Sequence, residues 1–478
     1  MTARATIPAD PVLPQLSAVL DSERMAKEFA RRLCEHGPEN VRSDPGRFRV
    51  VACEIGRIKY KAGARCSIGY RLRLRDRDSG AQHEQLLCGR IYERGGSRPR
   101  YEKAQAQPHC LPRFGPPVFH VESLDMVVWA FPNDRKLNGL RLLTDEDRLR
   151  RKLVPGIVAS SWGADWKVHD LTHSVASYVP EGRCCVRVDV LLVNRVTKEQ
   201  RPWSMYGKTH YDDSRNARAY RLLDLLWNSD GSHCGTICTP RPLAHMAQLQ
   251  LYWQEAVAGQ ARLELRADTA ARAALLQSAG RGVARFHGVR IDCDDVVEVD
   301  DVVDRLRETA TSLRDVVRSN GVDPVNAVNR LIERAPRDDR AALTTLHGDL
   351  HPKNIFFDGE RVSLIDLDDV CKGPPAFDVG SLFARVLGQA ILDRARPASA
   401  YPTMRKFYES YCLHCAAPVS PSEVSWYTAA ALINERALRS WTRLDAQWRD
   451  MNDEIIRLVE QINRSDADAF GLTSCVAA

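Results

Sequence analysis

Leu346-His347-Gly348-Asp349-Leu350-His351-Pro352-Lys353-Asn354-Ile355-Phe356-Phe357 and, after a short gap, Leu364-Ile365-Asp366-Leu367-Asp368-Asp369 decide how the rest of the chain is read. An apolar lead-in delivers His347, Asp349 and Asn354 at the spacing H-x-D-x-x-x-x-N. Two apolar runs, Ile355–Phe357 and Val362–Ile365, flank Asp358-Gly359-Glu360. Asp-Gly accepts the positive φ of a tight turn, so the pattern predicts a β-hairpin. Asp366 stands where the second strand ends, and folding the hairpin returns it toward Asn354 and Asp349.

Three oxygen-bearing side chains so gathered suit phosphoryl transfer. Mg²⁺ prefers one or two carboxylates plus substrate phosphates, and a separate Asp can orient the attacking hydroxyl and accept its proton. Asp349 is the candidate base, with Asn354 and Asp366 as metal ligands. Asp368 is a further candidate, for a second metal or for the acceptor. His347 reads as a brace for the loop. A lone H-x-D is usually structural, but here Gly348, Asn354, the hairpin, Asp366 and Gly373-Pro374-Pro375-Ala376-Phe377-Asp378 accompany it. A rival set, His347, Asp349 and His351 as transition-metal ligands, lacks a second histidine cluster.

His347–Asn354, Ile365–Asp369 and Gly373–Asp378 together resemble the aminoglycoside phosphotransferase and choline kinase family. The resemblance implies an α+β, protein-kinase-like fold, with a small N-lobe of sheet and helix over a larger helical C-lobe and ATP between them. It also implies that Asp378 anchors the catalytic loop. The motif is specific to that superfamily and indifferent to substrate within it.

The bulk properties agree with an enzyme of this kind. At 478 residues the chain has room for two or three domains, and 44% hydrophobic with 27% charged residues suits a soluble globular protein. The formal charge of +6 is spread along the chain, so neither nucleic acid nor a membrane surface is indicated as partner. Met1–Leu20, broken by Pro8, Pro11 and Pro14, does not read as a secretory signal. No apolar run reaches the roughly 20 residues of a membrane span. The 14 cysteines are scattered, and the expectation is a cytoplasmic protein with reduced thiols. Cys412-Leu413-His414-Cys415 has C-x-x-C spacing but no partner pair.

Before the catalytic stretch, the chain says nearly the same thing twice. Ser177-Tyr178-Val179-Pro180-Glu181-Gly182-Arg183-Cys184 echoes Lys59-Tyr60-Lys61-Ala62-Gly63-Ala64-Arg65-Cys66, and Tyr206-Gly207-Lys208 echoes Cys88-Gly89-Arg90 at the same offset. Order and spacing persist, which marks an internal duplication. The expected layout is an N-terminal extension and helix (1–45), a degenerate N-lobe-like repeat (46–150), an ATP-binding N-lobe (165–259) and a helical catalytic C-lobe (260–470). Only the second copy runs into the catalytic half. Its Lys208 fits the lysine that holds the α- and β-phosphates. Arg90, at that place in the first copy, keeps the charge but not the compact ammonium.

Arg183, in the turn covering the phosphates, is a further nucleotide candidate, although that turn is no G-x-G-x-x-G. The backbone of Glu255 and Val257, in the hinge Gln254–Gly259, is expected to meet the adenine edge. The helix Arg215–Trp227 offers Lys208 no glutamate, and Asp224 is its nearest acidic candidate. Copy one instead carries Glu102. Glu435, Arg436, Arg439, Trp441 and Asp445 are expected either to line an acceptor pocket or, with more weight, to form a solvated helix face. Acidic and basic residues alternate there, which does not single out a polycation.

The function expected is ATP- and Mg²⁺-dependent transfer to a hydroxyl of a sugar, aminoglycoside or amino alcohol. A pseudokinase-like scaffold binding a protein partner through tandem N-lobes is the alternative. Phosphorylation of protein side chains is disfavoured, because no activation segment separates Asp366 from Phe377.

Overall fold

The computed structural model describes residues 9–35, 47–233, 237–261, 269–314, 323–336, 343–359, 361–416, 419–444, 451–465 and 468–473. Helix α1 (Ser22–Glu35) precedes a sheet of β1 (Phe48–Lys61), β2 (Arg65–Asp76), β3 (Gln82–Ile91), β4 (Val118–Val121) and β5 (Met126–Ala130), with α2 (Ser97–Gln105) after the third strand. Helix α3 (Val154–Trp162) then precedes β6 (Trp166–Val179), β7 (Arg183–Asn194), β8 (Gln200–His210), β9 (Pro242–Met246) and β10 (Leu251–Glu255), with α4 (Asp213–Trp227) after the third. The strand orders are β1-β2-β3-β5-β4 and β6-β7-β8-β10-β9, one topology used twice.

The likeness extends to details no alternation of apolar residues requires. A register shift at Val50/Ala52 in the first sheet recurs at Val168/Asp170 in the second. Asp10 accepts from the Tyr60 hydroxyl (2.8 Å) and Gly63 N (2.9 Å), as Asp134 accepts from Tyr178 (2.8 Å) and Glu181 N (2.9 Å). Tyr101 stacks on His120 as Tyr220 stacks on His245.

Strand β7 shows why these segments extend. Cys184, Val186, Val188, Val190 and Leu192 are all buried and alternate with half-buried residues, the period of two that puts one face on a core. That core also takes Leu140, Leu143, Leu149, Val154 and Ile157, so the helical stretch from 140 to 162 packs on the second sheet. Met25, Phe29 and Leu33 of α1 pack likewise into the first. The helix expected to stand apart as an extension is thus part of the first sheet's core, and position 150 falls inside a continuous helical stretch.

The C-terminal half is helical: α5 (Thr269–His287), α6 (Val299–Arg314), α7 (Pro324–Glu333), α8 (Ala376–Leu392), α9 (Tyr401–Cys412), α10 (Pro421–Ala431) and α11 (Asn452–Arg464). Strand β11 (Gln260–Ala261) precedes α5, and between α7 and α8 lie short strands β12 (Thr344–Leu346), β13 (Ile355–Asp358), β14 (Arg361–Leu364) and β15 (Cys371–Gly373). The pairs Ile355↔Leu364 and Asp358↔Arg361 make the expected hairpin, with Gly359 at φ 57°; Glu360 lies outside the described residues. The second sheet and this helical body face each other across a cleft. At the crossover Gly259 has φ 101°, and a Cβ there would lie 2.3 Å from the Phe357 carbonyl oxygen, so only glycine fits. Among the described residues no helix is long and apolar enough to cross a membrane.

Candidate active site

The loop from His347 to Asn354 is suspended between two buried strand ends, Leu346 and Ile355. Asp378, fully buried in the first turn of α8, accepts from the backbone N–H of His347 (2.6 Å) and of Gly348 (3.1 Å). His287 Nε2 sits 3.1 Å from the same carboxylate, and its Nδ1 is 2.7 Å from the Tyr411 hydroxyl. His347, also fully buried, places Nε2 2.9 Å from the Ile365 carbonyl and so ties the loop to the end of the hairpin. Gly348 has φ 81°, and a Cβ there would come within 2.0 Å of the Asp369 carbonyl oxygen. The glycine lets two backbone segments touch.

That contact brings four aspartates together. Asp366 adopts φ 59°, a left-handed conformation uncommon outside glycine, where β14 gives way to a helical turn. Its Oδ1 accepts from Lys208 Nζ at 3.1 Å, and Asp368 Oδ1 accepts from the same ammonium at 3.3 Å. Tyr252 donates to Asp368 at 2.6 Å, and Arg183 lies 3.4 Å from Asp366. Burial opposes charge on Lys208, but Asp368, Tyr252 and Asp366 outweigh it and hold the ammonium well above its ordinary pKa. Burial likewise works against Asp366 and Asp368, and Lys208 holds both below the usual carboxylate range. For Asp369, burial, then Asp368 and Asp349, outweigh Arg183 and push it up.

Two adjoining cavities meet at these residues. The smaller, about 630 Å³, lies between the second sheet and the helical body, and Lys208, Arg183, Glu255, Val257, Asn354, Asp366 and Asp368 all line it. Asp349 lies in the larger, about 1590 Å³, which shares Arg183, His210 and Asp368 with the first. The sequence candidates are thus brought together from five separate segments. The carboxylate of Glu255 accepts from Trp203 Nε1 at 2.6 Å, and its backbone N–H donates to the Arg241 carbonyl at 2.9 Å.

Several expectations are corrected. Asp224 is no partner of Lys208; it caps the end of α4, accepting from Asn228 at 3.1 Å. The hairpin's own carboxylates have taken that place. In α4 it is Arg218 that reaches the helical body, donating to the Asp368 carbonyl (2.5 Å) and the Val370 carbonyl (2.9 Å). Glu102, in the first copy, pairs with Arg98 at 3.6 Å on an exposed helix face. Arg436 and Arg439 are half-buried against the larger cavity rather than on a solvated face. Asp445 and the side chain of Trp441 lie outside the described residues.

The sequence reading missed Arg385. It donates to Asp349 Oδ1 at 2.9 Å and to Glu435 Oε2 at 2.6 Å. A lone arginine in the apolar run Val379–Leu387 was the available signal, because such a charge stays in a helix face only when paired.

Among the described residues no three His, Cys, Asp or Glu could enclose a metal ion. The donors present still fit a hard cation. Asp366 and Asp368 converge on one positive charge, and Asp368 Oδ2 is buried with no well-aligned hydrogen bond, its near neighbours being His210 Nε2 at 3.3 Å and Arg183 at 3.8 Å. Asn354, 4% exposed, donates its amide N–H to the Asp349 carbonyl (3.2 Å), which leaves its side-chain oxygen for a ligand. Two carboxylates and an amide, completed by phosphate and water, are what Mg²⁺ takes.

The model of the phosphotransferase enzyme family (APH) matches residues 208–418. No curated protein matches the chain. Solved structures similar to it include a macrolide 2'-phosphotransferase from Brachybacterium faecium (14% identity, 63% of this chain and 97% of that one, TM-score 0.42). A choline/ethanolamine kinase family protein from Mesorhizobium loti (15%, 61% and 90%, TM-score 0.41) is another. A third is an aminoglycoside phosphotransferase from Streptomyces rimosus (16%, 58% and 96%, TM-score 0.38). The stretch that the family model matches runs from Lys208 past the Asp349 loop and Asp366, so it takes in the residues that meet in the two cavities.

Proposed function

We propose that the chain moves the γ-phosphate of ATP, with Mg²⁺, to a hydroxyl group of a small molecule. The reading rests on one juxtaposition: Lys208, Asp366 and Asp368 meet in the cavity under the second sheet, and Asp349 stands where that cavity opens into the larger one. Adenine then lies along the backbone of Glu255 and Val257, and Lys208 and Arg183 face the phosphates. Asn354, Asp366 and Asp368 would hold Mg²⁺, which when bound neutralises charge on the phosphoryl oxygens.

Asp349 orients the acceptor hydroxyl and takes its proton. The acceptor oxygen forms its bond to the γ-phosphorus as the bond from that phosphorus to the β–γ bridging oxygen breaks, and ADP leaves. Arg385 fixes the carboxylate of Asp349 from behind, an orientation that a near-attack geometry requires.

In this reading the two sheets are related units, divided near residue 131, and only the second covers a nucleotide. The cytosol supplies ATP and suits the free cysteines. The intact carboxylates weigh against the scaffold alternative.

The test is ATP consumption measured against a panel of hydroxyl compounds, followed by Asp349→Asn with the best acceptor. Turnover should fall by about 10²–10⁴, the worth of a positioned general base, while nucleotide binding stays. Undiminished turnover would remove Asp349 from the chemistry.

A further inference from the structure

The larger cavity has a composition that the transfer reaction alone does not call for. Ten arginines and lysines line it against four aspartates. The aspartates are already engaged or crowded: Asp349 by Arg385, Asp295 by Arg218, Asp368 by Lys208, while Asp369 faces the other three carboxylates of the cluster. Among the described lining residues basic side chains outnumber acidic ones, and Arg57 and Arg439 line the larger space while neither lines the smaller. ATP phosphates held near Lys208 therefore do not account for them.

Arg57 carries most of the argument. It comes from β1 of the first sheet, not from the catalytic half, and opens into the cavity beside Lys59. No carboxylate among the described residues lies within ion-pair distance of it. Desolvation, and then the guanidinium groups of Arg183 and Arg439, pull it below its ordinary pKa. Among the described residues Arg439 pairs with Glu435 alone, at 4.0 Å, and that carboxylate is held more closely by Arg385 at 2.6 Å. Burial, then Arg385, bring Arg436 down to about 9. Like charges gathered in a half-enclosed space repel one another and lower the stability of the folded chain unless an anion neutralises them. Guanidinium forks on facing walls are also the arrangement that recognises phosphate and carboxylate groups.

Resting on the phosphotransferase reading above, we propose that the hydroxyl acceptor carries an anionic group, phosphate or carboxylate, bound between Arg57 of the first sheet and Arg439 of the C-terminal helices. The first sheet is then the roof of the acceptor site. A polycationic acceptor would meet ten basic side chains against four acidic ones.

The test fills the nucleotide site of the full-length protein with Mg²⁺ and a non-hydrolysable ATP analogue, so that the γ-phosphate position is taken. Inorganic phosphate, acetate and glucosamine are then titrated calorimetrically. Phosphate or acetate should bind and glucosamine should not; which of the two anions binds more tightly tells phosphate from carboxylate recognition. Arg57→Gln and Arg439→Gln should each weaken the anion by about 10- to 100-fold, the worth of one charged hydrogen-bonded contact. The affinity for the analogue should not change, and Arg57→Lys should restore part of the loss. Three results would overturn the proposal: no anion binding, equal binding in wild type and both variants, or tighter binding of glucosamine. If the wild-type chain fails to bind the analogue at all, the phosphotransferase reading itself falls, and this inference with it.

Discussion

Fully buried Asp378 holds the His347–Asn354 loop by the backbone N–H groups of buried His347 and half-buried Gly348, and touches buried His287. Asp378→Ala removes the acceptor from each and leaves the His347 N–H and the His287 ring buried. The expected cost is about 3–5 kcal/mol, as for a broken buried ionic network, read from denaturant unfolding; a loss below about 1 kcal/mol would contradict the role. His351 gives a prediction in pH. Burial, then Arg385, lower it from 6.5 to about 3. Between those values the folded chain keeps the ring neutral while the unfolded chain binds a proton, so stability falls as pH drops from about 6.5 toward 3. His351→Gln should flatten that part of the thermal-unfolding profile, and an unaltered slope would exclude His351 as its source. At this scale much was legible: His347, Asp349, Asn354, Asp366 and Lys208 announce themselves by residue type and spacing. Arg385 and Arg218 did not, because each acts across a gap that only tertiary packing closes. The left-handed backbone of Asp366 was equally hidden, since nothing in its neighbours' identities demands it.

The turn from Val179 to Arg183 shows how one element serves two sheets. Glu181, 7% exposed and left-handed at φ 53°, points away from the second sheet's own cleft. It accepts from Arg90 (2.8 Å), Arg135 (2.7 Å) and Ser67 (3.2 Å), so the arginine at the first sheet's lysine position holds a carboxylate of the second. Burial works against Glu181, yet Arg135 and Arg90 keep it below its ordinary value. Arg90→Ala should leave that buried charge to Arg135 and Ser67 alone and destabilise the chain by about 1.5–3 kcal/mol, the worth of a hydrogen bond to a charged group. Arg90→Met combined with Glu181→Leu should recover most of the loss, and an additive double variant would show that the pair is not coupled. The sequence showed that this turn lacks the glycines of a phosphate cradle. It did not show what fixes the turn instead, because Arg90 and Glu181 are 91 positions apart.

Across the whole molecule, a repeated sheet legible from echoed motifs took on a use that motifs could not disclose. The second copy covers the carboxylates, and the first lies beside the C-terminal helices, where Leu444 is buried among Leu13, Phe29 and Tyr70 in its core. Leu444→Ala should cost about 2–5 kcal/mol and loosen the first sheet, seen as faster hydrogen exchange in β1 and β2; unchanged exchange would deny the docking. Apolar periodicity found the elements, but it carries no information on which one covers which. The most direct measurement of the central claim, that only the second sheet holds the nucleotide, is calorimetric titration of Mg²⁺ and a non-hydrolysable ATP analogue into Lys208→Met and Arg90→Met, each checked for folding by circular dichroism. The account predicts that affinity is lost in Lys208→Met and kept in Arg90→Met. Wild-type affinity in Lys208→Met, with the loss in Arg90→Met instead, would contradict it.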